Sequence, residues 1–276
     1  MRDMDSRLQK RIQRYGWDRA AQDYEALWQA QLADAHTCSM ELAALAPGER
    51  VLDIACGTGL VTFAAARAVG AAGRVVGVDL SGLMVEEAQR RSRKLTLAGI
   101  DFARMDAQAL AFPDRSFDAA LCALGLMYVP DPLLAVCEMK RCVRPGGRIV
   151  LTVWGDRSQC GWAPIFPIVD AEVSSEVCPL FFNLGAADVL LGLCVDAGLD
   201  RLQQRRITTT LRYGNGDEAC NAAFVGGPVA LAWSRFDIKV RTRVAARYLQ
   251  AIETWRRDGG YELPGEFVVV SAVVPD

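Results

Sequence analysis

Short apolar runs alternate with amphipathic stretches through the middle of the chain. Residues 51–55 form an apolar run closed by a glycine turn, and residues 60–69 then repeat apolar positions at helical spacing. The same succession continues with predicted strands at 74–78, 100–105, 117–124 and 148–153, and predicted helices at 82–97, around Ala107 and at 132–143. Strands that alternate with helices at these lengths predict βαβ units and a parallel, doubly wound sheet.

Segments of a different texture flank this alternation. Apolar or ring side chains recur every fourth residue at Tyr24, Trp28, Leu32 and His36, which predicts one helix over residues 17–46. Residues 161–184 are rich in Trp, Phe and Pro without a clear period and are interpreted as a cap. After them we expect a helix at 186–197, a strand at 202–211, mostly helices over 217–258 and a buried strand at 266–274.

These patterns predict an α/β, Rossmann-like fold with helical cap insertions. The expected division is an N-terminal helical cap at 1–46, a core at 47–155, a cap insertion at 156–185, and the remainder of the core at 186–276 with a helical insertion at about 217–258. The crevice that binds ligands in such sheets lies beyond the carboxyl ends of the strands.

Composition narrows the classes of partner and location. Of 276 residues, 51% are apolar and 23% charged, which is typical of a globular protein, and a net charge of −2 disfavours a nucleic-acid partner. Nine cysteines include no Cys-x-x-Cys pair, so we expect no metal site and a reducing, cytoplasmic location. No secretory signal is visible, and the longest apolar stretch, 119–130, is too short to span a membrane.

Two predicted strands end in an acidic residue beside the expected crevice. The first runs into Asp53-Ile-Ala-Cys-Gly57-Thr-Gly59, whose glycines permit a tight turn at the start of the next helix. The second ends in Asp79, twenty residues after Gly59, where a carboxylate can accept hydrogen bonds from both ribose hydroxyls of a nucleoside. The alternative for each acid is an ordinary turn residue.

Two details separate S-adenosylmethionine from a nicotinamide dinucleotide. The dinucleotide motif needs a third glycine, and Thr62 occupies that position. Asp53 would repel a pyrophosphate but attract the amino group of a sulfonium amino acid. S-adenosylmethionine is therefore the predicted cofactor, and a nicotinamide-dependent oxidoreductase is the weaker alternative.

The next two strand ends supply candidate contacts to the rest of the cofactor. We expect Asp106 and the amide of Ala107 to bind the adenine edge, and Leu80 and Met84 to pack on the adenine faces. A helix N-cap is an equally good interpretation of Asp106. The backbone around Cys122 and Leu124 is expected to face the methionyl part of the cofactor.

The motifs together resemble class I S-adenosylmethionine-dependent methyltransferases, in particular the ubiquinone/menaquinone-biosynthesis (methyltransferase type 11-like) group. The resemblance covers about residues 45–155. In chain order the motifs are Val51-Leu-Asp-Ile-Ala-Cys-Gly-Thr-Gly59, Val76-Gly-Val-Asp-Leu-Ser81, Asp106 with Ala111-Phe-Pro-Asp-Arg-Ser-Phe-Asp118, Gly125-Leu-Met-Tyr-Val-Pro-Asp131 and Arg144-Pro-Gly-Gly147.

This resemblance implies a seven-stranded sheet with an antiparallel last strand. It also implies cofactor contacts, and the residues it places there are Asp53, Gly57, Gly59, Asp79, Asp106 and Cys122. Ala55 stands where many members have a glycine and is included among the cofactor-binding residues. A helix tyrosine touches the methionyl end in relatives, which implies that role for Tyr24.

Fewer features of the sequence indicate which residues contact the methyl acceptor. Methyl transfer can proceed through positioning alone, and if a base is used, the candidates are His36, the only histidine, and Tyr128. Met127 and Tyr128 follow the fourth strand, where the transferred methyl should point. A set of aromatic residues is expected either to line an acceptor pocket or to form core: Trp154, Trp162, Phe166, Phe181 and Phe182.

The predicted function is methylation of an O, C or N atom of a small, hydrophobic or aromatic metabolite. A non-catalytic cofactor-binding or scaffold protein of the same fold is the alternative. The sequence leaves open whether the chain forms homo-oligomers.

Overall fold

The computed structural model describes residues 6–173 and 180–276. The helices of these residues are α1 (Ser6–Ala20), α2 (Tyr24–Trp28), α3 (Ala33–Ala43), α4 (Leu60–Val69), α5 (Gly82–Ser92), α6 (Pro132–Cys142), α7 (Ile165–Val173), α8 (Val189–Asp196), α9 (Gly216–Phe224), α10 (Ala230–Arg235) and α11 (Ile238–Ile252). The strands are β1 (Arg50–Ile54), β2 (Arg74–Asp79), β3 (Ile100–Arg104), β4 (Phe117–Ala123), β5 (Val143–Trp154), β6 (Asp200–Tyr213), β7 (Arg256–Arg257) and β8 (Gly260–Val273).

One mixed sheet organises the described residues, in the order β3-β2-β1-β4-β5-β8-β6. Strands β3 to β5 pair in parallel, while β8 runs antiparallel to both β5 and β6. This confirms the predicted Rossmann-like, mostly parallel sheet of seven strands with an antiparallel last strand. The two-residue β7, which was not predicted, pairs with the start of β8.

Burial explains why the central strands are so apolar. Helices cover both faces of the sheet, so β1, β4 and the Val-rich part of β8 have almost no exposed positions. Edge strand β3 is more exposed, and its sequence mixes polar and apolar residues.

The N-terminal helical region differs from the single helix predicted over 17–46. It consists of α1, α2 and α3, and α1 begins eleven residues earlier than expected. The helical spacing of the predicted set nevertheless persists across the breaks between the helices. The amide of Leu32 donates to the carbonyl of Trp28 at 3.0 Å, and the amide of His36 donates to the carbonyl of Leu32 at 3.0 Å. Side chains at this spacing therefore still face one side.

The short helix predicted around Ala107 is wrong. The segment is a turn in which Asp106 Oδ1 accepts from the amide of Gln108 at 2.9 Å, and Asp106 and Ala109 form an isolated bridge. An Asp that binds the amide two residues ahead favours such a turn over a helix.

The cap at 156–185 contains α7 and a short 3-10 helix, Asn183–Gly185. Residues 174–179 of this segment lie outside the described residues, as do residues 1–5 of the N-terminal cap. The region predicted as mostly helical at 217–258 contains α9, α10 and α11. The division of the chain into four parts stays a proposal. Among the described helices none is both long and apolar enough to cross a membrane.

Candidate cofactor and acceptor site

The end of β1 turns sharply into α4 through the predicted glycine bend. Gly59 precedes α4 with φ of 89°, and a Cβ there would lie 2.8 Å from the ring of Phe63. Residues other than glycine rarely adopt this backbone and would also clash here. Asp53 lies buried beneath the bend, where its Oδ2 accepts a hydrogen bond from the hydroxyl of Thr62 at 2.5 Å.

Asp79 at the end of β2 contacts this bend directly. Its Oδ2 accepts from the amide of Gly57 at 2.9 Å, and its Oδ1 accepts from the amide of Ser81 at 2.8 Å. The two predicted strand-end acids are therefore held at one edge of the sheet, as the parallel pairing of β1 and β2 requires.

Burial shifts the ionisation of both acids. Removal from water raises the pKa of Asp53 to about 7, opposed by the hydrogen bond from Thr62. Burial likewise raises the pKa of Asp79 to about 6, opposed by the amides of Ser81 and Gly57. Such acids favour a ligand that brings hydrogen-bond donors or positive charge.

An outer cleft of about 760 Å³, including its open mouth, lies over this edge of the sheet. The predicted site residues that line it are Tyr24, Ala55, Gly57, Asp79, Leu80, Met84, Asp106, Ala107, Leu124 and Tyr128.

Helix α1 covers this cleft with residues that sequence reasoning missed. Lys10, Gln13 and Trp17 line it, and Lys10 Nζ lies 2.6 Å from Asp106 Oδ2. Asp18 accepts a hydrogen bond from the hydroxyl of Ser81 at 2.6 Å, which ties α1 to the start of α5. The charged sequence of α1 carried no signal for this position.

An inner chamber of about 300 Å³ lies beside the outer cleft. It is lined by Trp17, Tyr24, Trp28, Leu32, Leu124, Met127, Tyr128, Trp154, Trp162, Gly227 and Pro228. The cleft and the chamber share four of these residues, namely Trp17, Tyr24, Leu124 and Tyr128. The Trp17 ring packs edge-on against both tyrosines, at 5.7 Å from Tyr24 and 5.1 Å from Tyr128, so these rings form the shared wall.

A third cavity, of about 300 Å³ including its open mouth, lies between the glycine bend and α3. Its lining includes His36, Asp53, Cys56 and Thr58, together with Tyr24. Burial lowers the pKa of His36 to about 4, so the imidazole is neutral at pH 7. Burial raises the pKa of the Tyr24 phenol far above its usual value, so this hydroxyl remains a hydrogen-bond donor.

Five predicted site residues do not line the outer cleft, and two of them, His36 and Asp53, line the third cavity. Met127 lines only the inner chamber, Gly59 shapes the bend, and Cys122 is buried in β4. A Cβ added to Gly125 would lie 3.3 Å from Cys122 Sγ, so this thiol packs under the loop that follows β4. The geometry therefore favours a supporting position for Cys122.

The cap aromatics divide between pocket and core. Trp154 and Trp162 line the inner chamber. Phe166, Phe181 and Phe182 are buried and pack against Trp162 with ring centroids 5.4 to 5.7 Å away. The core interpretation therefore holds for the three phenylalanines, and the acceptor-pocket interpretation stays a prediction for Trp154 and Trp162.

Strained backbone occurs at two residues that line the outer cleft. Ala55 has φ of 55° and Leu124 has φ of 63°, a region that residues with a Cβ rarely occupy. Strain of this kind costs on the order of 1 to 3 kcal/mol and is often found at ligand sites.

Ala55→Gly is expected to leave the protein as stable as before or to stabilise it by up to about 1 kcal/mol, because lost left-handed strain outweighs the added freedom of the unfolded chain. Urea denaturation measures the change. The matched control is Ala64→Gly in the interior of α4, which should destabilise by about 1 kcal/mol. Equal losses from both substitutions would contradict the strain at Ala55.

The described residues contain no group of three His, Cys, Asp or Glu side chains arranged to hold a metal ion. What they contain is a glycine bend on one buried acid, a second acid on the neighbouring strand and a cleft lined by that second acid. These features define a Rossmann-like nucleoside-binding protein.

Comparison with known proteins specifies the family. The methyltransferase domain family matches residues 52–151. Aklanonic acid methyltransferase DauC of a Streptomyces species is 32% identical over 148 residues, which cover 54% of this chain and 67% of that enzyme. The chain belongs to this methyltransferase family, and S-adenosylmethionine is the expected cofactor.

Other relatives match a smaller share of their own length. A 2-phytyl-1,4-naphtoquinone methyltransferase of Synechococcus elongatus is 40% identical over 114 residues, which cover 41% of this chain and 49% of that enzyme. The chain thus spans about half the length of the first curated relatives it matches. The YcgJ protein of Bacillus subtilis has the same fold, with a TM-score of 0.63 at 17% identity, covering 88% of this chain and 99% of that protein.

Proposed function

We propose that this chain is an S-adenosylmethionine-dependent methyltransferase that acts on a small, flat, hydrophobic metabolite. The observation that carries the proposal is the pair of neighbouring cavities. The outer cleft presents acids suited to a nucleoside, the inner chamber is apolar, and Trp17, Tyr24, Leu124 and Tyr128 line both. A cofactor in the cleft and an acceptor in the chamber would meet at this wall.

The cleft residues suit the parts of the cofactor in chain order. Asp79 would accept from the ribose hydroxyls, and Asp106 with the amide of Ala107 would bind adenine. Leu80 and Met84 would pack on the adenine faces. Residues of the third cavity would surround the methionyl end, together with Leu124 of the shared wall: Tyr24, Asp53, Ala55, Gly57 and the neutral His36. Cys122 would support this end from beneath the loop that follows β4.

Positioning and exclusion of water would account for much of the catalysis. When bound, the cofactor supplies an electrophilic methyl group on a positively charged sulfur. Aromatic side chains of the shared wall would exclude water and hold the acceptor atom in line with that methyl group. Tyr128 lies at this wall and is the better placed candidate for contact with the acceptor, whereas the cavity of His36 adjoins Asp53.

Binding and turnover of the purified protein test the proposal. Calorimetry should show binding of S-adenosylmethionine and S-adenosylhomocysteine but not of nicotinamide dinucleotides. Mass spectrometry should then detect methylated product from reduced 1,4-naphthoquinone or from aklanonic acid, probes that the names of the relatives suggest. Cofactor binding with no methylation of any such probe would favour the scaffold alternative.

Cofactor affinity should fall as the pH is lowered from 8 to 5. The ligand needs the ionised acids as hydrogen-bond acceptors. Protonation removes the negative charge of Asp53 below about pH 7 and that of Asp79 below about pH 6. Affinity should therefore drop by about tenfold per pH unit once a required acid is protonated. Binding near pH 6 should release protons, which calorimetry in buffers of different ionisation enthalpy measures. A pH-independent affinity for the wild type would contradict this assignment.

The buried position of most cysteines supports the proposed cytoplasmic location. The free cysteines of the described residues are mostly buried, and burial raises the pKa of thiols such as Cys122 and Cys160 to about 12. Such thiols stay protonated and behave as small apolar side chains.

A further inference from the structure

We propose that the indole N–H groups of Trp28 and Trp162 bind oxygen atoms of the methyl acceptor, so that the inner chamber selects oxygenated ring compounds over hydrocarbons and amines. The inference rests on the proposed function, since it assigns the acceptor to this chamber.

Both indoles carry a buried donor without a partner. Trp28 is 4% exposed and Trp162 is 1% exposed, and both line the inner chamber. Neither Nε1 atom has a hydrogen-bond acceptor within the described residues. Buried indole N–H groups usually have one, and an unpaired donor is destabilising. Two such donors in one chamber point to a ligand that supplies the acceptors.

Neighbouring aromatic rings do not replace these acceptors. Trp28 and Trp162 pack edge-on, 5.8 Å apart, and each also contacts Trp154. A ring face accepts an N–H only weakly compared with a carbonyl oxygen. The packing orders the two indoles and leaves their donors available.

The donor edge of Trp28 faces the small-residue wall of the chamber. A Cβ built on Gly226 would lie 3.3 Å from Trp28 Cδ1, and one built on Gly227 would lie 3.7 Å from Trp28 Cζ2. Cδ1 is bonded to Nε1, and Cζ2 lies on the same edge of the indole as the N–H group. Gly227 itself lines the chamber, so the absence of a side chain there leaves space next to the donor.

The charge of the chamber also favours an oxygen acceptor. Its described lining includes no carboxylate, whereas Asp79 and Asp106 line the outer cleft and Asp53 the third cavity. An ammonium group would enter without a counter-ion, which is costly in an apolar site. A neutral carbonyl or a phenolate would find two N–H donors and aromatic faces.

A pair of matched probes tests the role of the donors. The probes are 1,4-naphthoquinone and 1,4-dimethylnaphthalene, which has methyl groups in place of the two oxygens, each titrated with S-adenosylhomocysteine present. The variants Trp28→Phe and Trp162→Phe keep a ring and remove the N–H. We expect each to weaken naphthoquinone binding about tenfold and to leave dimethylnaphthalene within about twofold, as loss of one hydrogen bond predicts.

The matched control is Trp233→Phe, which removes an indole that stacks on Phe224 away from the chamber lining. It should change neither affinity. Equal losses for both probes in Trp28→Phe and Trp162→Phe, or no loss, would overturn the proposal, because packing alone would then explain the two indoles. Unchanged binding of S-adenosylhomocysteine in the variants shows that the cofactor site is intact.

Two further outcomes distinguish failure of the proposed function from failure of the chamber assignment. If S-adenosylhomocysteine fails to bind the wild type while the naphthoquinone preference is present and is lost in the variants, the proposed function fails and the chamber assignment stands. If a variant does not fold, the indole N–H resonances of the wild type decide: naphthoquinone should shift two of the six indole signals, and a shift of none overturns the proposal.

Discussion

Asp79→Ala should weaken binding of S-adenosylmethionine at least a hundredfold. The ribose would lose its two hydrogen bonds to the carboxylate. Hydrogen bonds to a charged group contribute about 1.5–3 kcal/mol each. The substitution also leaves the amides of Gly57 and Ser81 without their acceptor, so the glycine bend loses its support. Calorimetry with S-adenosylhomocysteine measures the change.

Asp101→Ala is the matched control. Asp101 lies on the neighbouring strand β3, and its carboxylate pairs with Arg74 on the exposed surface, away from the cleft. Exposed ion pairs contribute little, so both stability and cofactor affinity should be nearly unchanged. Cofactor affinity within threefold of the wild type in Asp79→Ala would show that the ribose does not lie at this acid.

Gly125→Ala should destabilise the protein by about 2–3 kcal/mol, the upper part of the range for overpacking. The added Cβ would lie 2.2 Å from the Cβ of Ala55, so the ends of β1 and β4 would have to separate. Because Ala55 and Gly125 both line the outer cleft, cofactor affinity should fall as well. Urea denaturation and calorimetry measure the two effects.

The same substitution elsewhere should have the opposite sign. Gly192 lies inside α8, and an added Cβ would meet nothing within 4 Å. Gly192→Ala should therefore stabilise the protein by about 0.5–1 kcal/mol, the usual gain of alanine over glycine in a helix. If Gly125→Ala proved as harmless, the close approach of the two strand ends would be refuted.

The sequence predicted the cofactor side because its signals are local. A parallel sheet brings the carboxyl ends of neighbouring strands to one edge, so short apolar runs followed by Asp53, Asp79 and Asp106 suffice to place these acids near one another. The structure has the predicted sheet, and Asp79 reaches the bend at Gly57. The chemical role of each residue stays a prediction.

Residues that reach the site from distant segments were not predictable in the same way. Lys10 and Trp17 enter the cleft because α1 packs against α5 and α10, a tertiary contact that a charged helix sequence does not signal. Gly227 reaches the inner chamber from the segment between α9 and α10 for the same reason. Periodicity likewise could not separate Trp162, which lines the chamber, from Phe166, which packs behind it.

The contact between Lys10 and Asp106 links α1 to the part of the cleft where we propose that adenine binds. Asp106 Oδ2 accepts from Lys10, and Oδ1 accepts from the amide of Gln108. A carboxylate has lone pairs for more than two donors, so a nucleobase amino group can join this pair without displacing it. Binding of the nucleoside would then hold α1 in place, and resistance of α1 to proteases would report whether the proposed adenosyl cofactor is bound, with or without its methyl group.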